Sequence, residues 1–328
     1  MSEPLPPHAP GRSCPLHYRY PPSVFRQAPP PDLTDLEVLY VVGGLYGNEL
    51  ALNEVLRLFE QETGRKRLVF NGDFHWFDTD PATFDRIQRQ VLGHRALRGN
   101  VETELARPEP IGDAGCGCAY PDWVDDSVVN RSNRILQHLW HAATPEHRAQ
   151  LGALPMWLTA TVGHLRLGIV HGDAQSLAGW GFAQEHLRDP AHRDQVRNWL
   201  AEAGVDAFAS SHTCLPVFQR LNRNSDQGPA WVLNNGAAGM PNFRGDATGL
   251  LTRVATRPFH GEARRLGVVS GNAHIDAIDI VVDPYASQAQ FLAQWPPGSD
   301  AHASYFGRIT RGPDYQPDQV LRQEDTPC

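Results

Sequence analysis

Between Leu36 and Asn100 the chain alternates strand and helix patterns, and each strand runs straight into a polar or glycine turn. "LEVLYVVGG" is an apolar strand ending in glycines. Glu49 to Thr63 repeats apolar residues at helical spacing (Leu52, Val55, Leu56, Phe59), and Gly64 follows as a helix stop. "RLVFNGD" is a second strand. Pro81 to Leu92 opens with proline and sets Phe84, Ile87 and Val91 on one face, and "RALRGN" is a third strand. This alternation predicts parallel α/β structure, in which ligands bind beyond the carboxyl ends of the strands.

A polar insert follows, "VETELARPEPIGDAGCGCAYPDWVDD". Ser127 to about Leu151 reads as one long helix. "MWLTATVGHLRLGIVHGDA" reads as two strands around Val162-Gly163-His164, and Asp189 to Ala203 as a helix capped by Asp189 with Pro190 first. "VDAFASSHT" is a buried strand, and "VFQRLN", "WVLNNG", "TGLLTRVAT" and "IDAIDIVVD" are further strands. No repeat or boundary divides residues 36–284, so one domain of two packed mixed β-sheets flanked by helices is expected. Residues 1–35 are proline-rich and aperiodic, a loosely ordered arm either wrapped on the domain or free. Residues 285–328 are expected to extend the domain at its C-terminus, either over a site or along the surface.

The 29 basic and 37 acidic residues leave a net charge of −8, which argues against broad nucleic-acid or membrane binding and disfavours a nuclease. No apolar run approaches the roughly 20 residues that span a bilayer, and the N-terminal stretch has no apolar signal core, so the expected compartment is the cytoplasm. The 5 scattered cysteines do not suggest a disulfide framework.

Four strands end in turns rich in metal-ligand types: Asn71-Gly72-Asp73, Gly99-Asn100, His171-Gly172-Asp173 and Ser211-His212-Thr213. One carboxylate, one amide oxygen and two imidazoles from separate strand ends can converge on a divalent ion such as Mn²⁺, Zn²⁺ or Fe²⁺. Taken singly, His212 also reads as a core histidine and Asp73 as a helix cap.

In this order the motifs resemble the calcineurin-like metallophosphoesterases. That family runs Asp-X-His, Gly-Asp, Gly-Asn-His, His, then Gly-His-X-His. This chain has "GGLYGN", "NGDFHWFD", "RGNVETEL", "IVHGDA" and "SSHTCLP", and "LNNGAAGMP" is similar to a turn of the small bacterial phosphodiesterase branch. The resemblance spans roughly residues 36–256 and implies the family's two-sheet sandwich. It also implies one ligand set of Asp73, Asn100, His171 and His212. The partner set would be Gly44, Tyr46, Asp73 and Cys214, in which the family's Asp and both its other histidines are replaced. Val101 stands where the family places a histidine beside the phosphate.

The implied activity is hydrolysis of a phosphomonoester or phosphodiester by a metal-bound hydroxide, with one or two ions of Mn, Fe or Zn. Asp73, Asn100 and His171 would be catalytic, with Tyr46 or His75 as further candidates. Losing one electrostatic contact to the transition state costs roughly 3 kcal/mol, so several losses give as the alternative a phosphoesterase fold that only binds a phosphate ester, a nucleotide or a protein partner, while the retained ligand set tips the reading toward the enzyme. Asp73-Phe74-His75 offers a substitute Asp-X-His whose side chains would share a direction on extended backbone. Asp78, Asp173, Cys116 and Cys118 are other nearby candidates, and Glu102 reads as either a supporting partner or a solvated charge. Arg98 and Arg244, and after them Arg131 and Arg134, are candidates for binding phosphate. No motif indicates an oligomeric state.

Overall fold

The computed structural model describes residues 10–223 and 228–324. Strands β1 (Val38–Val42), β2 (Lys66–Asn71) and β3 (Arg95–Leu97) are parallel neighbours, joined by α1 (Glu49–Gln61) and α2 (Pro81–Leu92). Next come α3 (Asn100–Leu105), α4 (Asp126–Ala142) and α5 (Pro145–Gly152). A second sheet starts with the hairpin β4 (Trp157–Val162) and β5 (Leu165–Val170). It continues, after α6 (Pro190–Ala203), with β6 (Ala207–Ser210), β7 (Val217–Leu221) and β8 (Ala230–Asn234). The chain then returns to the first sheet as β9 (Gly249–Ala255), β10 (Arg264–Ser270) and β11 (Ala273–Ile280). It ends in α7 (Pro284–Gln294), α8 (Asp300–Arg311) and β12 (Leu321–Arg322).

Among the described residues these strands make two mixed six-stranded sheets, in the orders β10-β11-β9-β1-β2-β3 and β12-β7-β8-β6-β5-β4. Side-chain alternation sorts the two faces of β1. Leu39 and Val41 pack with Val69 and Leu97 against Leu167, Ile169, Ala209 and Leu233 of the other sheet. Tyr40 and Val42 face α1 and α2 beside Leu52, Val55, Phe70 and Phe84. Both faces are covered, which is why these strands read as continuous apolar runs. Each such side chain taken fully from water contributes about 1.5–3 kcal/mol.

The helix starts follow the cap residues. The Asn48 side chain accepts from the Ala51 amide, Asp80 from Thr83 and Asp189 from Ala191, with Pro81 and Pro190 at first positions. The single helix expected from Ser127 to Leu151 is two helices. The Thr144 hydroxyl caps the second, and Pro145, which has no amide hydrogen to donate, starts it. β10 did not stand out in the sequence because it is an edge strand whose side chains are mostly half-exposed, so alternation toward a core is weak.

Residues 10–35 lie against the domain, with Tyr18, Phe25 and Leu33 fully buried and the Tyr18 hydroxyl donating to Glu104 Oε1 at 2.5 Å. The C-terminal extension packs through α8 on α4, where Arg134 pairs with Asp300 and Arg131 Nε donates to Ser304 Oγ at 2.7 Å. Residues 1–9 of the arm and 325–328 of the extension lie outside the described residues. No helix among the described residues is long and apolar enough to cross a membrane.

Candidate metal centre

β2 and β3 of one sheet and β5 and β6 of the other point their carboxyl ends at the same place. The three loops after β2, β3 and β5 meet there closely because Gly72 has no side chain. At its φ of +75°, an added Cβ would lie 2.6 Å from the Gly99 amide nitrogen and 2.7 Å from His171 Nδ1. Asp73 follows in the left-handed region, φ 49°, a strained setting for a non-glycine residue. The Glu102 carboxylate holds it there. It accepts from the amides of Asp73 and Gly99, both at 2.8 Å, and of Phe74 at 3.0 Å. Glu102 is thus a buried clamp rather than a solvated charge. Burial, then the Asp73 charge, raise its pKa.

Hydrogen bonds orient the inward-facing groups. His171 Nδ1 donates to the Asn71 carbonyl at 3.0 Å, which leaves a lone pair on Nε2. His212 Nε2 donates to the Cys118 carbonyl at 3.1 Å, which leaves a lone pair on Nδ1. Asn100 Nδ2 donates to the Cys116 carbonyl at 2.9 Å, which turns Oδ1 inward. His171 Nε2 therefore faces three acceptors: Asn100 Oδ1 at 3.1 Å, His212 Nδ1 at 3.1 Å and Asp73 Oδ2 at 3.3 Å. Ligand atoms of Asp73, His171 and His212 all lie within 4.8 Å of one another, and all three residues are buried. The Asp73 carboxylate and three groups whose hydrogens go to outer carbonyls converge as four acceptors, which repel one another unless a cation or a proton lies between them. Burial lowers the His171 pKa, but Asp73, the Asn71 carbonyl and Glu102 together raise it, so it ends above the ordinary histidine value. Burial, then His171, push His212 down to about 3. This N₂O₂ donor set fits Mn²⁺, Fe²⁺ or Zn²⁺.

The position beside this set is filled by protein. Gly44 has φ +66°, and a Cβ there would lie 2.9 Å from the Tyr46 ring. The Tyr46 ring is thus folded back over Gly44, and its hydroxyl lies 2.7 Å from Cys214 Sγ. Burial, then Cys214 and Asp73, raise the Tyr46 pKa well above the ordinary value, so the phenol stays protonated.

A cavity of about 230 Å³ opens beside Asp73, Asn100 and His212. Its other walls include Trp76, Val101, Tyr120, Val128, Trp180 and Tyr305. The Trp180 ring stands edge-on to His212 with centroids 5.6 Å apart, and its Nε1 donates to the Cys118 carbonyl at 3.1 Å. The Cys116-Gly117-Cys118 turn therefore approaches the site through its carbonyls, which orient Asn100, His212 and Trp180. The Cys118 thiol touches Asn100 Nδ2 at 3.5 Å.

Other sequence candidates lie elsewhere. His75 does not share a direction with Asp73, because the turn at Asp73 ends the extended backbone. It stacks on Phe84 with centroids 3.6 Å apart, and its Nδ1 bonds Asp78 at 2.5 Å. The Asp173 carboxylate accepts from the amides of Gln175, Ser176 and Gly181, a turn-holding role. Arg98 donates to the Gly152 carbonyl and Arg244 pairs with Asp314, and neither lines the cavity. Sequence reasoning did not single out Trp180, Tyr305 or Arg308, whose Nη2 donates to the Cys214 carbonyl at 2.7 Å behind the cavity wall. The only signal for Tyr305 and Arg308 was the richness of the C-terminal stretch in His, Ser, Tyr and Arg.

Replacing Glu102 with alanine is expected to strand several buried amides. The cost should be about 3 kcal/mol or more in urea unfolding, and divalent-ion affinity should fall roughly 10–100-fold, as for other outer partners of metal ligands. Glu102→Gln, which keeps one acceptor oxygen, should lose less of both.

No family model matches the chain, and no curated protein matches it. Solved structures do. The hypothetical protein PH1004 from Pyrococcus horikoshii OT3 superposes with a TM-score of 0.56 at 14% identity, over 85% of this chain and 99% of that one. A metallophosphoesterase from Sphaerobacter thermophilus superposes with a TM-score of 0.53 at 14% identity, over 84% of this chain and 100% of that one.

Proposed function

From the premise that the chain has the calcineurin-like metallophosphoesterase fold, we propose that it is a metal-dependent phosphoesterase with a one-ion centre. The ion would be held by Asp73, Asn100, His171 and His212. The observation that supports this most strongly is the inward convergence of the Asp73 carboxylate with Asn100, His171 and His212, each of which donates a hydrogen to an outer carbonyl. Such a cluster serves no structural purpose by itself. A divalent ion there supplies Lewis acidity toward a phosphoryl oxygen.

The chain's own residues do the rest. The Asn71 and Cys118 carbonyls fix the two imidazole tautomers and so keep both lone pairs on the ion side. Asp73 supplies the only formal negative charge among the cavity-lining residues and offsets half of a divalent charge. The protonated Tyr46 hydroxyl lines the cavity and can donate to a phosphoryl oxygen. Buried Trp76 and half-buried Tyr120, Trp180 and Tyr305 reduce the water around the ligand set, which strengthens each of these electrostatic contacts.

The test is hydrolysis of bis(p-nitrophenyl) phosphate and p-nitrophenyl phosphate by metal-loaded protein. Turnover that scales with metal occupancy and disappears in His171→Ala is expected. A wild-type rate no higher than that of His171→Ala would overturn the reading.

Two observations favour a second reading, a protein that binds phosphate esters without turning them over. The Tyr46 hydroxyl and the Cys214 thiol, at two of the positions that the resemblance assigns to a second ion's ligands, are hydrogen-bonded to each other, and Val101 offers no proton. In that case ester binding would survive while the hydrolysis assay stayed at background.

A further inference from the structure

Resting on the phosphoester reading, we infer that the cavity selects a singly charged phosphodiester carrying an aromatic group over a doubly charged phosphomonoester.

The charge of the walls carries the first half. Among the described residues, no lysine or arginine lines the cavity. Two guanidinium groups that bond cavity-lining residues are engaged there rather than free. Arg308 donates to the carbonyls of Cys214 and Pro241, and Arg131 donates to Ser304 Oγ. Asp73 is the only carboxylate among the cavity-lining residues. A divalent ion with Asp73 leaves one net positive charge. One phosphodiester anion neutralises it. A monoester dianion leaves an unpaired negative charge beside buried Trp76 and half-buried Tyr120, Trp180 and Tyr305, where water screens it less than at an open surface.

The shape of the walls carries the second half. Trp76, Tyr120, Trp180 and Tyr305 surround the space beside the ligand set. Trp123, 63% exposed, stands edge-on to Trp180 with centroids 6.3 Å apart and so extends the aromatic surface outward. A volume of about 230 Å³ holds a phosphate with a ring or two beside it rather than a polymer. Stacking a planar ring on such walls recognises an aryl group or a nucleobase alike.

The test is calorimetric binding of three probes, diphenyl phosphate, dimethyl phosphate and phenyl phosphate, to the manganese-loaded chain. Tryptophan fluorescence provides a second readout. Diphenyl phosphate is expected to bind roughly tenfold or more tighter than phenyl phosphate, and roughly tenfold tighter than dimethyl phosphate. Trp180→Leu should remove the preference for diphenyl over dimethyl phosphate. Because Trp180 also supports the Cys118 turn, the exposed Trp123→Ala serves as a second variant and should reduce the same preference without changing manganese affinity. Equal or tighter binding of phenyl phosphate overturns the charge argument, and equal binding of the two diesters overturns the aromatic one. Both of those outcomes leave the phosphoester reading standing. If none of the three binds to protein that holds manganese, that reading falls and this inference falls with it.

Discussion

Replacing His171 with alanine is expected to weaken divalent-ion binding about 100-fold or more, beyond the 10–100-fold typical of losing an outer partner. His171 Nε2 is the atom around which Asn100 Oδ1, His212 Nδ1 and Asp73 Oδ2 are arranged, so its removal leaves three donors with no centre. The metal-free variant should be less stable than the metal-free wild type, because a buried imidazole and its hydrogen bond to the Asn71 carbonyl are lost. The gap should widen on adding metal. An ion at 100 times its dissociation constant stabilises the wild type by about 2.7 kcal/mol, and the same concentration should barely move the variant. Thermal melts with and without Mn²⁺ or Zn²⁺, alongside calorimetric titration, measure both. Equal stabilisation of the two proteins would place the ion elsewhere.

Replacing Arg253 with methionine is expected to cost about 3–5 kcal/mol of folding stability. Arg253 sits on β9 with 1% of its side chain exposed. Its Nε donates to Glu62 Oε1 at 2.5 Å, and its Nη1 to Asp276 Oδ2 at 2.8 Å on the directly opposed residue of β11. Removing the guanidinium leaves two carboxylates largely out of water with only Arg257 and Arg264 at their edges. The pH dependence should change too. Burial raises the Glu62 pKa, but Arg253, with Tyr40 and Arg257, lowers it, so the folded value lies below the ordinary glutamate value. A depressed carboxylate contributes stability above its unfolded pKa and loses it as pH falls through the folded one. Wild-type stability should therefore drop on acidification below about pH 4.5. Arg253→Met should show a shallower drop in that window. Urea unfolding of both proteins from pH 7 to pH 3 decides it, and an unchanged slope would remove Glu62 from the account.

The strand ends were legible in the sequence because sheets buried on both faces write continuous apolar runs, and those runs stop where the polar turns begin. Asp73, Asn100, His171 and His212 could be placed near one another for that reason alone. What lay beyond reach were directions set by single backbone angles. The left-handed turn at Asp73 sends His75 into a stack with Phe84, whereas an extended chain would have aligned them. Gly44, with its own positive φ, lets the Tyr46 ring fold back over it, and no local pattern announces that. Arg98 and Arg244 looked suitable for phosphate because a sequence does not show where long side chains find carbonyls and carboxylates. Trp180 and Tyr305 come to the cavity from distant segments, and Tyr305 rides on a C-terminal helix whose placement depends on its packing against α4. The split between α4 and α5 was readable from Thr144-Pro145, a cap followed by a helix-starting proline.

The central claim is a single cation held by four convergent acceptors, and metal stoichiometry tests it most directly. Protein prepared without a histidine tag or chelator, loaded with Mn²⁺ or Zn²⁺ and desalted, should carry one ion per chain by elemental analysis, and Asp73→Asn should carry none. Two tightly held ions would contradict the account, because Tyr46 and Cys214 would then be ligating rather than filling the second position. No retained ion in the wild type would contradict it as well, since the convergence of Asp73, Asn100, His171 and His212 would then have no cation to explain it.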